Sequence, residues 1–119
     1  MKPRPHTLLR FYFGAMKLGP GKVQLLEHIR DTGSISAAGR AMEMSYKRAW
    51  MLVEEMNAAF AGPVVESARG GAKGGGATVT ATGLAVIAAY RAAETATAQA
   101  TAPHIGTLQN LLRDIPEQK

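Results

Sequence analysis

The sequence predicts a mainly α-helical fold with one small β-hairpin, closed by a long C-terminal helix. Three observations carry that expectation. Between Gly33 and Trp50 the chain reads GSISAAGRAMEMSYKRAW, two short helical patterns, each opened by a serine, with only a tight turn between them. A short strand pattern then leads into the glycine-laden RGGAKGGG at positions 69–76 and out again through ATVT. From Ala81 onward alanine dominates, with Leu84, Ile87 and Tyr90 at helical spacing. Two helices on a tight turn, followed by a two-stranded loop, make a winged helix-turn-helix.

The elements follow in order. Residues 7–13 (TLLRFYF) are β-branched and aromatic enough for a strand, with Arg10 on its wet face. Leu18-Gly19-Pro20-Gly21 interrupts it, and Pro20 suits the first position of a helix. From Lys22 to Arg30 the apolar Val23, Leu25, Leu26 and Ile29 define a first helix. Gly33 supplies the left-handed residue at its end. Ser34 caps a second helix that turns Ile35, Ala38 and Met42 inward. Ser45 caps a third, from Tyr46 to about Phe60, with Ala49, Val53, Met56 and Phe60 as its apolar stripe. Gly62-Pro63 stops it. Val64, Val65 and Ser67 form one strand of the wing and residues 77–80 the other. Thr80 caps a long helix to about Thr101, and Pro103 is expected to break it, leaving Leu108, Leu111 and Leu112 on a shorter last helix.

At 119 residues and 46% hydrophobic, the chain can bury one small core, built on aliphatic side chains because aromatics are only 6%. A formal net charge of +5 favours polyanionic partners: DNA, RNA or an anionic membrane surface. There is no cysteine, which excludes disulfides and thiolate metal sites. No apolar run approaches the roughly 18 residues of a membrane span, and Arg10 interrupts any signal-like stretch. A cytoplasmic, soluble protein is the expectation.

The start of the third helix is the sharpest candidate site. Ser45, Tyr46, Lys47 and Arg48 lie in its first turn, where backbone N–H groups and the helix dipole favour phosphate. Arg48 is suited to a bidentate fork on guanine O6 and N7. Ser34, Ser36 and Arg40 sit on the preceding helix, which in this motif crosses the DNA backbone. Ser34 serves equally well as a simple N-cap worth about 1 kcal/mol. Trp50 has three readings: stacking on Tyr46, packing on the second helix, or lying near the DNA backbone. Packing is favoured, because a lone tryptophan is usually a large apolar contributor.

The glycine loop is not a nucleotide-binding P-loop. Lys73 is followed by Gly74 where serine or threonine is needed, and a strand follows where a helix is needed. What remains is a tip with Arg69 and Lys73, suited to a phosphate ridge or a minor groove. His6, His28 and His104 are isolated, so no metal site is indicated. Glu54 and Glu55 face different directions, and no serine has a nucleophile-elbow context, so the sequence argues against an enzyme.

On these residues the chain resembles the N-terminal domain of the ModE family of molybdenum-dependent transcriptional regulators, related to the LysR-type winged helices. The matching stretches are LGPGKVQLLEHI, TGSISAAGRAM, MSYKRAW, EEMN and VVESARGGAKGGGATVTATG, spanning about residues 7–91. The resemblance implies double-stranded DNA as partner, and residues 1–80 as the winged helix-turn-helix DNA-binding domain, made of N-terminal strand, three helices and wing. It places Ser45 to Arg48 in the recognition helix and Arg69 to Gly76 in the wing. Residues 81–119 become a linker/dimerisation helix and the short C-terminal helix, implying a homodimer. Nothing after Arg91 matches the family's molybdate-binding modules, so no cofactor is expected. A second departure is Glu43 in the helix-turn-helix turn. If that position requires positive φ, glutamate costs on the order of 1 kcal/mol. Two other readings stay open: a protein-interaction module that pairs with a separate effector-binding subunit, and a small-oxyanion sensor.

Overall fold

A computed structural model describes residues 5–68 and 76–113. Its elements, in chain order, are β1 (Phe11–Phe13), β2 (Met16–Leu18), α1 (Pro20–Thr32), α2 (Ile35–Ala41), α3 (Tyr46–Ala59), β3 (Val65–Ala68), β4 (Gly76–Val79) and α4 (Ala81–Leu111). The expected mainly α fold with a small β wing and a long C-terminal helix is the observed one.

Helix α1 is the hub. Pro20 occupies its first turn, and Val23, Leu25, Leu26 and Ile29 are completely buried. Two adjacent buried leucines make the stripe wide enough to meet α2, α3, α4 and β4. Gly33 ends α1 with φ 70°, its N–H donating to the Ile29 carbonyl at 2.8 Å. The carbonyl of Gly33 then accepts the Ala77 N–H at 2.9 Å, which ties the returning wing strand to the α1–α2 turn.

The N-terminal strand differs from expectation. It is a hairpin, with β1 antiparallel to β2 and Phe13 opposite Met16. Gly14 takes φ 62° in the turn, where a side chain would be strained. Met16 and Leu18 face inward and Lys17 outward, the alternation of a half-buried strand. The hairpin and the chain before it lie along α4. Tyr90 donates its O–H to the Leu9 carbonyl at 2.7 Å, and Phe11 meets the Tyr90 ring edge-on. Pro5, His6 and Thr7 continue beside Ala98, Ala102 and Ile105.

Thr80 caps α4, accepting the Gly83 N–H at 3.1 Å, and the helix docks through Gly83, Val86, Ile87 and Tyr90. Arg91 then clamps α4 to α1. Its Nε and Nη2 donate to the two carboxylate oxygens of Glu27, and its Nη1 donates to Glu94. This two-pronged bond holds the Glu27 carboxyl below its ordinary pKa and keeps Arg91 charged.

Pro103 does not break the helix. α4 runs through it to Leu111, so the short separate C-terminal helix is absent and one helix of 31 residues, about 46 Å long, takes its place. Proline removes one N–H, the partner of the Gln99 carbonyl, but this part of α4 is solvent-facing, so water can replace the donor. The alanines around it are the best helix formers and offset the local cost.

Candidate nucleic-acid interface

Helices α2 and α3 meet at Gly39 and Ala49. Both are buried, and a β-carbon on Gly39 would lie 3.2 Å from that of Ala49, so the two helices approach as closely as side chains permit. The turn between them closes by a Schellman arrangement. The N–H of Met44 donates to the Gly39 carbonyl at 2.9 Å and that of Glu43 to the Arg40 carbonyl at 3.0 Å. The motif needs a left-handed residue at its centre, and Glu43 supplies it with φ 57°. The conditional cost read from the sequence therefore applies.

Ser34 and Ser45 both act as N-caps. Ser34 accepts the Ala37 N–H at 3.0 Å, and Ser45 accepts the Arg48 N–H at 3.1 Å. Their hydroxyls are engaged in holding helix ends, and Ser45 stays exposed while Ser34 is half-buried. Ala49, Val53 and Met56 face the core as expected, whereas Met42 and Phe60 are only partly covered. That helical phase leaves Tyr46, Lys47 and Arg48 exposed. On α2, Arg40 is exposed and donates to the Ser36 hydroxyl at 2.8 Å, which links the two side chains across one helical turn.

Electrostatically these cations differ from the three that carboxylates hold, as do Arg10 and Lys17 among the described residues. Lys22, Arg30 and Arg91 are each held by a carboxylate. Among the described residues, Arg40, Lys47 and Arg48 have no ion-pair partner. Their charge is available to an anion without first breaking a salt bridge. The wing tip with Arg69 and Lys73 lies outside the described residues; its base, Val65 opposite Val79 through Ala68 opposite Gly76, is described.

The structure also answers where Trp50 goes. The indole is half-buried against the core, and its N–H donates to the hydroxyl of Tyr46. The packing reading holds, while the contact with Tyr46 is an edge-on ring pair joined by a hydrogen bond and not a stack.

Sequence reasoning missed Asn57. Its Oδ1 accepts the N–H groups of Val64 and Val65 at 2.7 and 3.2 Å, and its Nδ2 donates to the Val65 carbonyl. One side chain fastens the wing to α3. The signal available was a lone amide directly after inward-facing Met56, ahead of a chain reversal at Gly62-Pro63.

Among the described residues no group of three or more His, Asp or Glu side chains is placed to hold a metal ion. No described helix is long and apolar enough to cross a membrane.

No protein-family model matches the chain. It is 49% identical over 83 residues to the molybdenum-pterin-binding protein MopB of Rhodobacter capsulatus, covering 70% of this chain and 31% of that protein. It is 42% identical over 71 residues to the DNA-binding transcriptional dual regulator ModE of Escherichia coli (strain K12), covering 60% of this chain and 27% of that one. The molybdenum transport protein ModE of Azotobacter vinelandii is 39% identical over 77 residues, covering 65% and 28%. The chain spans under a third of the length of these curated relatives.

Proposed function

From homology to the ModE and Mop proteins over 60–70% of its length, we propose that this chain is a DNA-binding transcriptional regulator of molybdate-related genes that acts as a homodimer. The observation that carries the reading is the first turn of α3, where a helix start capped by Ser45 presents exposed, carboxylate-free Lys47 and Arg48. α3 enters the major groove by this end. α2 crosses the backbone with Ser36 and Arg40, and the wing adds Arg69 and Lys73. Homology supports the same reading, since one relative is named as DNA-binding.

Pairing of two subunits rests on α4. Leu84 is 46% exposed, Leu108 62% and Leu111 77%, on a helix whose many alanines permit close approach. An apolar groove of about 370 Å³ between Phe11, Phe13 and the Val86–Tyr90 face adds to the surface that pairing would cover. Two subunits place half-sites about one helical turn, or a multiple, apart.

The test is duplex affinity against salt. Several phosphate contacts give a log–log slope of about −0.9 per contact, and a salt-insensitive or absent interaction rejects the reading. Within it, Arg48→Ala relaxes preference at one base pair by about 1–3 kcal/mol, whereas a uniform loss across sequences assigns Arg48 to a phosphate. Sedimentation that shows a monomer at micromolar concentration rejects the homodimer. Calorimetry with molybdate or tungstate separates an effector-free regulator from an oxyanion sensor.

A further inference from the structure

We infer that Trp50 is a positioning residue for DNA recognition, holding the Tyr46 hydroxyl as a hydrogen-bond donor to an acceptor on the duplex. The inference rests on the DNA-binding reading and adds to it a residue pair that the basic first turn does not reveal.

Tyr46 and Trp50 stand four residues apart on α3, hence on one face of the helix. Their rings meet edge-on, with centroids 6.4 Å apart and an interplanar angle of 84°. The Trp50 indole is partly sunk into the core, so its position is set by packing, while Tyr46 is 56% exposed. An exposed tyrosine of this kind would ordinarily sample several rotamers. Here the indole N–H donates to the phenolic oxygen and fixes it in one place.

The direction of that bond decides what Tyr46 can do. An indole nitrogen donates only, so the phenol must be the acceptor, and its own O–H hydrogen remains to be given. Among the described residues that hydrogen goes to no protein acceptor. Accepting one bond also polarises the O–H and strengthens the next bond it donates. The hydroxyl is therefore a neutral, oriented donor in the same turn as Lys47 and Arg48. Its complement is an oxygen or nitrogen acceptor: a phosphate oxygen, or a base-edge atom such as guanine N7 or thymine O4.

A double-mutant cycle tests this on the duplex that the wild-type chain enriches from a random-sequence pool. Tyr46→Phe removes the hydroxyl, and Trp50→Phe removes the indole N–H while keeping an aromatic ring in the core. Each is expected to weaken binding about threefold to tenfold, the worth of one hydrogen bond. The double variant should lose little more than either single one, because both remove the same contact. The salt slope should stay unchanged in all three, since no cation is lost. Loss at one base position places the acceptor on a base edge; uniform loss places it on phosphate. Fully additive losses, or no loss for either variant, overturn the inference while leaving DNA binding intact. A wild-type chain that enriches no duplex overturns the DNA-binding reading, and this one with it.

Discussion

Gly83 faces the carbonyl oxygen of Val64 so closely that a β-carbon at position 83 would lie 2.3 Å from it. That carbonyl cannot easily retreat, because it accepts the Thr80 N–H at 2.9 Å. The same β-carbon would also press on Val79 at 2.6 Å. The first turn of α4 is thus seated directly on the strand ends of the wing. Gly83→Ala, which elsewhere in a helix would help by roughly 1 kcal/mol, should here destabilise by about 1–3 kcal/mol through overpacking. Urea unfolding checks the sign; a stabilised variant would mean that α4 is not docked this tightly.

The opposite sign is expected in the helix-turn-helix turn. Glu43 holds φ 57° at the centre of the Schellman arrangement, and its side chain is exposed. Glu43→Gly removes the left-handed penalty of about 1–2 kcal/mol but returns about 0.4–1 kcal/mol of unfolded-state freedom. A net gain of several tenths of a kcal/mol, read as a higher urea midpoint at unchanged m-value, is the expected outcome.

Local chemistry made much of this fold legible. Ser34, Ser45 and Thr80 each announce a helix start, and each accepts the N–H three residues on. Gly33 announces a helix end, and the stripe of Ala49, Val53 and Met56 fixes which residues α3 leaves exposed. The interface candidates Tyr46, Lys47 and Arg48 follow from that phase alone. What escaped depends on context. Pro103 reads as a breaker, yet its helix is alanine-rich and solvent-facing, where a lost hydrogen bond is tolerated. The β1–β2 turn is hidden because Gly14-Ala15 lacks the usual hairpin pair of asparagine or aspartate with glycine. Asn57 escaped because its partners, Val64 and Val65, lie beyond a chain reversal that no periodicity encodes.

Acid should loosen the seam between α1 and α4. Arg91 holds the Glu27 carboxyl below its ordinary value of 4.5, chiefly through their direct hydrogen bonds. A depressed pKa in the folded chain means that the ion pair adds stability fully above the unfolded value and loses it as pH falls below 4.5 toward the folded one. Glu27→Gln should therefore be less stable than wild type at neutral pH, and the gap should shrink as pH drops through that range. Thermal unfolding across neutral to acidic pH measures it. A gap that stays constant would show that shape, not charge, sets the contribution of Glu27.

Asn57 links stability to the proposed interface. Its amide accepts two backbone N–H groups and donates to one carbonyl, all at the point where the chain enters the wing. Asn57→Ala leaves those groups without their partner at a half-buried site, which costs about 1–3 kcal/mol. Asn57→Asp keeps the acceptor for Val64 and Val65 but loses the donor to the Val65 carbonyl, so it should fall between wild type and alanine. The amides of Val64 and Val65 should exchange with solvent faster in the alanine variant, while those in the middle of α1 change only as far as global stability changes. If the wing contributes phosphate contacts, freeing its base should also flatten the salt slope of duplex binding without altering preference at the base read by Arg48. Protection unchanged at Val64 and Val65 would mean that β4, through the Gly33 carbonyl and Ala77, is enough to hold the wing in place.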